Sequence, residues 1–134
     1  MSEERNGDKM KAKFYICEHC GNLIEMINSS GQNIVCCGDK MKEIEVKTKE
    51  EKWEKHLPEV TRNDKVLLVN VGKIDHPMTE NHYIEWIYLE TEKGSQRKEL
   101  KAGEKPSVIF TIADDKPLRV YAYCNLHGLW MTEL

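Results

Sequence analysis

His82-Tyr83-Ile84-Glu85-Trp86-Ile87-Tyr88-Leu89 is the stretch that decides the fold. Aromatic and β-branched side chains fill it, and such residues suit a pleated, packed strand. Similar runs cover residues 66–71, 107–112 and 118–123. Turn chemistry separates them at Asn63-Asp64, Gly72, Lys93-Gly94-Ser95, Ala102-Gly103 and Ala113-Asp114-Asp115-Lys116-Pro117. No long helical periodicity interrupts the series, so the expectation is an all-β chain. An antiparallel β-sandwich buries such runs most simply, with Ile84, Trp86, Ile87, Leu89 and Ile109 as candidate core residues.

Upstream the chemistry changes. Four of the five cysteines fall between Cys17 and Cys37, whereas four of the five histidines fall between His56 and His127. Between them lies the charge run Lys47-Thr48-Lys49-Glu50-Glu51-Lys52, which reads as a solvated linker or short exposed turn. The N-terminal piece has short β-like runs at 13–16 and 33–35 among turn residues, as in a small ribbon. A segment that short cannot offset its chain entropy by apolar burial, so it needs an internal staple.

Cys17-Glu18-His19-Cys20 and Cys36-Cys37 offer that staple, because four thiolates can surround one tetrahedral metal ion. Sulfur ligation suits zinc and iron alike, and two disulfides or free buried thiols are the remaining alternatives. Adjacent cysteines ought to distort the tetrahedron, since neighbouring side chains diverge. His19 lies between two thiols that already belong to a complete set, so it reads as a non-ligand.

The chain has 134 residues, 40% hydrophobic and 32% charged, with a net charge of −3. It has room for one domain of ordinary size plus a small module. The acidic balance argues against broad nucleic-acid binding, which needs basic surface to neutralise phosphates. No run approaches the roughly 18 apolar residues of a membrane span. The polar residues 1–13 lack the apolar region of a secretory signal, so a cytoplasmic location is expected.

His56, His76, His82, Cys124 and His127 form a second constellation, near strand ends or in loops. Cys124-Asn125-Leu126-His127 sets a thiol and an imidazole three residues apart in one tight turn. Pro77 restricts the loop that carries His76 and His82. Cys124, His127 and Met131 also echo a blue-copper site, which would make the chain an electron carrier without substrate chemistry. That alternative leaves two histidines unused. An electron carrier based on iron rather than copper belongs to the same class, and a zinc-stapled interaction domain is a third possibility.

Taken together, Cys17/Cys20, Cys36/Cys37, Glu54-Lys55-His56, His76-Pro77-Met78, His82-Tyr83-Ile84-Glu85-Trp86 and Cys124-Asn125-Leu126-His127-Gly128 resemble desulfoferrodoxin, the two-iron form of superoxide reductase. The resemblance implies a tail over 1–13 and a desulforedoxin-like module over 14–46 with rubredoxin-like iron on Cys17, Cys20, Cys36 and Cys37. It further implies a linker and active-site loop over 47–55 and an immunoglobulin-like sandwich over 56–134. In that domain His56, His76, His82 and His127 would surround a second non-haem iron, with Cys124 axial. A homodimer, rubredoxin as electron donor and superoxide as substrate are also implied.

Four imidazoles and one thiolate leave an iron one open position, where a small oxidant fits. Lys55 is the candidate for attracting the superoxide anion there and for ordering a proton-donating water. Glu54, a hard carboxylate, is the candidate for helping to expel the peroxide product. Both otherwise read as ordinary solvated charges.

Overall fold

The computed structural model describes residues 11–50 and 55–134. Two compact units divide the chain, Met1–Glu45 and Val46–Leu134. No helix occurs among the described residues, and none is long and apolar enough to cross a membrane.

The first unit is a ribbon. β1 (Phe14–Ile16) pairs antiparallel with both β2 (Leu23–Glu25) and β5 (Lys42–Glu43), while β3 (Val35–Cys36) and β4 (Asp39–Lys40) form a hairpin. Among its described residues only Phe14, Cys17 and Met41 are buried apolar side chains. At roughly 1.5–3 kcal/mol for each fully buried large side chain, that core is too small to order the segment. The staple expected from the cysteines is therefore a physical necessity.

The second unit holds two sheets. One runs in the order β10-β9-β12-β13-β6, and the other β11-β8-β7. Their strands are β6 (Val46–Lys47), β7 (Pro58–Asn63), β8 (Val66–Val71), β9 (Ile84–Thr91), β10 (Ser95–Glu99), β11 (Ser107–Thr111), β12 (Pro117–Cys124) and β13 (Gly128–Glu133). All pairings are antiparallel except β6 with β13, which is parallel. The expected all-β sandwich is what forms.

Its core draws on both sheets, with Leu67, Val69, Val71 and Phe110 from one and Ile84, Ile87, Leu89, Val120, Ala122 and Cys124 from the other. Ile109 is a correction. It is 53% exposed opposite Leu68, and strand alternation turns the neighbouring Phe110 inward instead.

β9 is buried on both faces, and a bulge explains its spacing. Tyr123 pairs with Trp86 and Cys124 with Ile84, so the ladder skips Glu85. Ile84 and Ile87, three residues apart, consequently join the same core cluster. The irregularity falls directly beside Cys124.

Candidate metal centres

In the first unit the chain turns sharply after Cys17, whose carbonyl accepts the Gly21 N–H at 2.8 Å. This loop brings Cys17 and Cys20 towards the β3–β4 hairpin. The four sulfur atoms of Cys17, Cys20, Cys36 and Cys37 lie within 4.8 Å of one another. Cys20 Sγ is 3.7 Å from Cys36 Sγ, and all four thiols are free.

The problem of adjacent cysteines is solved by backbone strain. Cys37 adopts φ 54°, a left-handed conformation that side-chain-bearing residues avoid, ahead of Gly38 at φ 76°. Such a residue costs on the order of 1–3 kcal/mol. The turn lets two consecutive thiols join one cluster. His19 points elsewhere and pairs with Asp39 Oδ2 at 3.2 Å.

Crowding gives the thiols unlike acidities. The Cys20 backbone N–H, chief among several hydrogen bonds, lowers the Cys17 pKa to about 6, while hydrogen bonding with Cys20 and then Cys17 raises Cys37 to about 12. Without a cation the group cannot ionise together; a bound metal ion supplies the missing positive charge. The donor set fits a tetrahedral metal.

In the sandwich, five side chains at or beside strand ends converge. His56 precedes β7, His76 follows β8, His82 precedes β9, Cys124 ends β12 and His127 precedes β13. Donor atoms of His56, His76, His82 and Cys124 lie within 4.8 Å of one another. His127 joins through Nδ1, which is 3.2 Å from His56 Nε2 and 3.8 Å from Cys124 Sγ.

The imidazoles form a closed cycle of edge contacts. Ring centroids are 4.8 Å apart for His56–His76, 4.7 Å for His76–His82, and 5.0 Å for both His82–His127 and His127–His56. Each ring thus has two neighbours, and Cys124 closes the set.

Hydrogen bonds fix the outer edges of two rings. His56 Nδ1 meets Glu50 Oε2 at 2.8 Å, and His76 Nδ1 donates to the Pro77 carbonyl at 2.7 Å. Both contacts leave Nε2 as the atom turned towards the other rings and suited to ligate a metal. Trp130 stacks on His56 at 4.5 Å, with 13° between the planes. Asn125 links the Cys124 turn to the His82 loop, accepting the Tyr83 N–H at 2.9 Å and donating to the Asn81 carbonyl at 3.0 Å.

The buried Nε2 atoms of His76 and His82 have no hydrogen-bond partner among the described residues. Burying a polar atom unpaired is costly, and a metal ion would satisfy both at once. Burial also lowers the pKa of His56, His76 and His82, that of His76 to about 4. The rings are therefore neutral near pH 7, the form that ligates. Burial raises the Cys124 thiol, opposed by the backbone N–H groups of Leu126 and His127. The donor set fits iron or another imidazole-binding metal.

Met131 does not supply the thioether of a copper site. It pairs with Tyr121, whereas the adjacent Trp130 pairs with Ala122 and carries the stacking contact to His56. Alternation along β13 sends the two side chains to opposite faces.

Lys55 is half-buried, and its positive charge, added to burial and to the His127 and His56 charges, helps to lower the His82 pKa. Gly72 shapes this loop. A Cβ there would lie 2.7 Å from Lys55 Cα and 2.3 Å from the Ile74 carbonyl oxygen, at φ 88°. Glu54 lies outside the described residues. The charge run hid Glu50, whose side chain is only 6% exposed and which also accepts the N–H groups of His56 and Leu57. Its one sequence signal was its proximity to His56.

Family comparisons agree with this geometry. The family described as desulfoferrodoxin matches residues 48–133, and its N-terminal domain matches 9–44. A desulfoferrodoxin homolog from Archaeoglobus fulgidus is 44% identical over 118 residues, 88% of this chain and 94% of that one. Desulfoferrodoxin from Nitratidesulfovibrio vulgaris is 41% identical over 121 residues, 90% of this chain and 95% of that one. The crystal structure of superoxide reductase from Treponema pallidum superposes with a TM-score of 0.80 at 34% identity, covering 92% of this chain and 98% of that one. A cysteine-stapled ribbon, a sandwich bearing four clustered imidazoles and a thiol, and matches spanning both units lead to one assignment: the chain belongs to the desulfoferrodoxin family.

Proposed function

We propose that the chain is a superoxide reductase, converting superoxide, one electron and two protons into hydrogen peroxide. The observation that carries this reading is the closed cycle of four imidazoles beside Cys124, with two buried Nε2 atoms that have no partner among the described residues. In it His56, His76, His82, His127 and Cys124 hold one iron, and Cys17, Cys20, Cys36 and Cys37 hold the other. The first supplies, in its ferrous state, the single electron that superoxide requires.

The protein's own groups prepare the site. Glu50 and the Pro77 carbonyl hold His56 and His76 in one tautomer. Lys55 draws the anion in against the net charge of the chain and orders a proton-donating water, and Glu54 assists product departure. Residues 14–46 act as the desulforedoxin-like four-thiolate iron module, residues 47–55 as the linker and active-site loop, and residues 56–134 as the reaction domain. A rubredoxin-like donor, a homodimer and a cytoplasmic setting complete the reading. The thiol-rich first unit supports a reducing compartment.

The test is pulse-generated superoxide mixed with reduced, iron-loaded protein and followed by visible spectroscopy, with peroxide and oxygen both measured. A transient followed by peroxide without oxygen is expected. Oxygen evolution would indicate dismutation instead, and no reaction would leave an electron carrier.

A further inference from the structure

Lys47 sits where several supports of the histidine centre meet. In β6 it pairs with Trp130 of β13, and its ammonium donates to the His127 carbonyl at 3.1 Å. The same carbonyl accepts the Trp130 indole N–H at 3.1 Å. Lys47 Nζ also lies 5.2 Å from the centroid of the Trp130 ring, the ring that stacks on His56. One half-buried cation therefore braces both the turn carrying Cys124 and His127 and the aromatic plate behind His56.

Its charge stands at the edge of the centre, with the ammonium held 3.1 Å from the His127 carbonyl and over the ring that stacks on His56.

We propose that Lys47 is a positioning residue of the Cys124 centre, which clamps the His127 carbonyl and holds a fixed positive charge at the edge of that centre, so raising the reduction potential of the iron bound there. An oxidised iron carries one more positive charge than a reduced one, so a nearby fixed cation disfavours oxidation. This rests on the reading of the cluster as an iron centre.

The experiment is a redox titration of the full iron-loaded chain, comparing wild type with Lys47→Gln and Lys47→Arg, with iron counted in each. Gln keeps a donor for the carbonyl and removes the charge; its midpoint should move to lower potential while iron content stays at the wild-type level. Arg keeps both features and should leave the midpoint in place. An unchanged midpoint in Lys47→Gln overturns the proposal, as does an equal shift in both variants. If Lys47→Gln loses iron, Lys47→Arg decides alone: a wild-type midpoint supports the role and a lowered one overturns it. A wild-type chain that binds no iron at this cluster would overturn the iron reading itself, a separate failure.

Discussion

The Glu50 carboxylate grips His56 from two sides, meeting Nδ1 at 2.8 Å through one oxygen and accepting the His56 backbone N–H at 2.8 Å through the other. Ring orientation and loop position are thereby tied to one side chain. Glu50→Ala should weaken iron binding at the histidine centre by roughly 10–100-fold, the usual effect of losing such a support. The four-thiol centre should stay loaded. Iron counted per chain during dilution into a chelator checks both halves.

Acid should destabilise the metal-free protein through its buried imidazoles. Burial holds the folded-state pKa of His76 at about 4. An unfolded histidine titrates near 6.5, so the unfolded chain takes up the proton first as pH falls. The stability tied to neutral His76 is complete above about pH 6.5 and is lost progressively down to about pH 4, amounting to about 3 kcal/mol. Urea unfolding of the metal-stripped protein across this range should show the loss, and His76→Gln should reduce it. A flat profile would remove His76 from the account.

Gly72 combines φ 88° with no room for a Cβ, and the atoms in the way are all backbone. Gly72→Ala should destabilise the chain by at least about 2 kcal/mol and lower iron occupancy at the histidine centre, because the Lys55–Leu57 backbone must shift. Gly103 has φ 92° but nothing within 4 Å of a built Cβ. Gly103→Ala should therefore show only the conformational cost, about 1 kcal/mol, with normal iron content. Thermal unfolding and metal analysis distinguish the two.

Lys55→Ile should slow superoxide capture on the order of tenfold and flatten its dependence on ionic strength, since steering by a single cation is screened by salt. Pulse radiolysis at several salt concentrations reads both effects. Unchanged rates would remove this role from Lys55.

Removing the metal from the four-thiol cluster should melt the first unit and spare the sandwich. Phe14, Cys17 and Met41 are its only buried apolar side chains among the described residues, and the strain at Cys37 remains to be offset. Amide hydrogen exchange after chelation should rise across residues 11–45 while β8, β9 and β12 stay protected.

Much of this was legible in the amino-acid order. The run at 66–71 coincides with β8, and those at 82–89, 107–112 and 118–123 meet β9, β11 and β12 within two residues at each end. β7 and β10 were silent because Pro58-Glu59 and Ser95-Gln96-Arg97-Lys98-Glu99 lack an apolar alternation, being outer strands of their sheets. Ile109 was misplaced because an apolar run names no inward face until register is known. All nine cysteine and histidine candidates came together, since their chemistry is rare enough to stand out. Glu50 and Lys47 did not, because a half-buried charge within a charge run has the same letters as a solvated one.

The two-residue strand β6 has a consequence beyond placing Lys47. It covers the start of β13, pairing Val46 with Leu129 and Lys47 with Trp130, where β13 would otherwise be the margin of its sheet. β13 is apolar, with Leu129, Trp130 and Met131 all buried. An uncovered strand of that composition is a template on which other chains add and fibrils grow. The segment that braces the metal site thus also protects the protein against aggregation, and loss of one role would bring loss of the other.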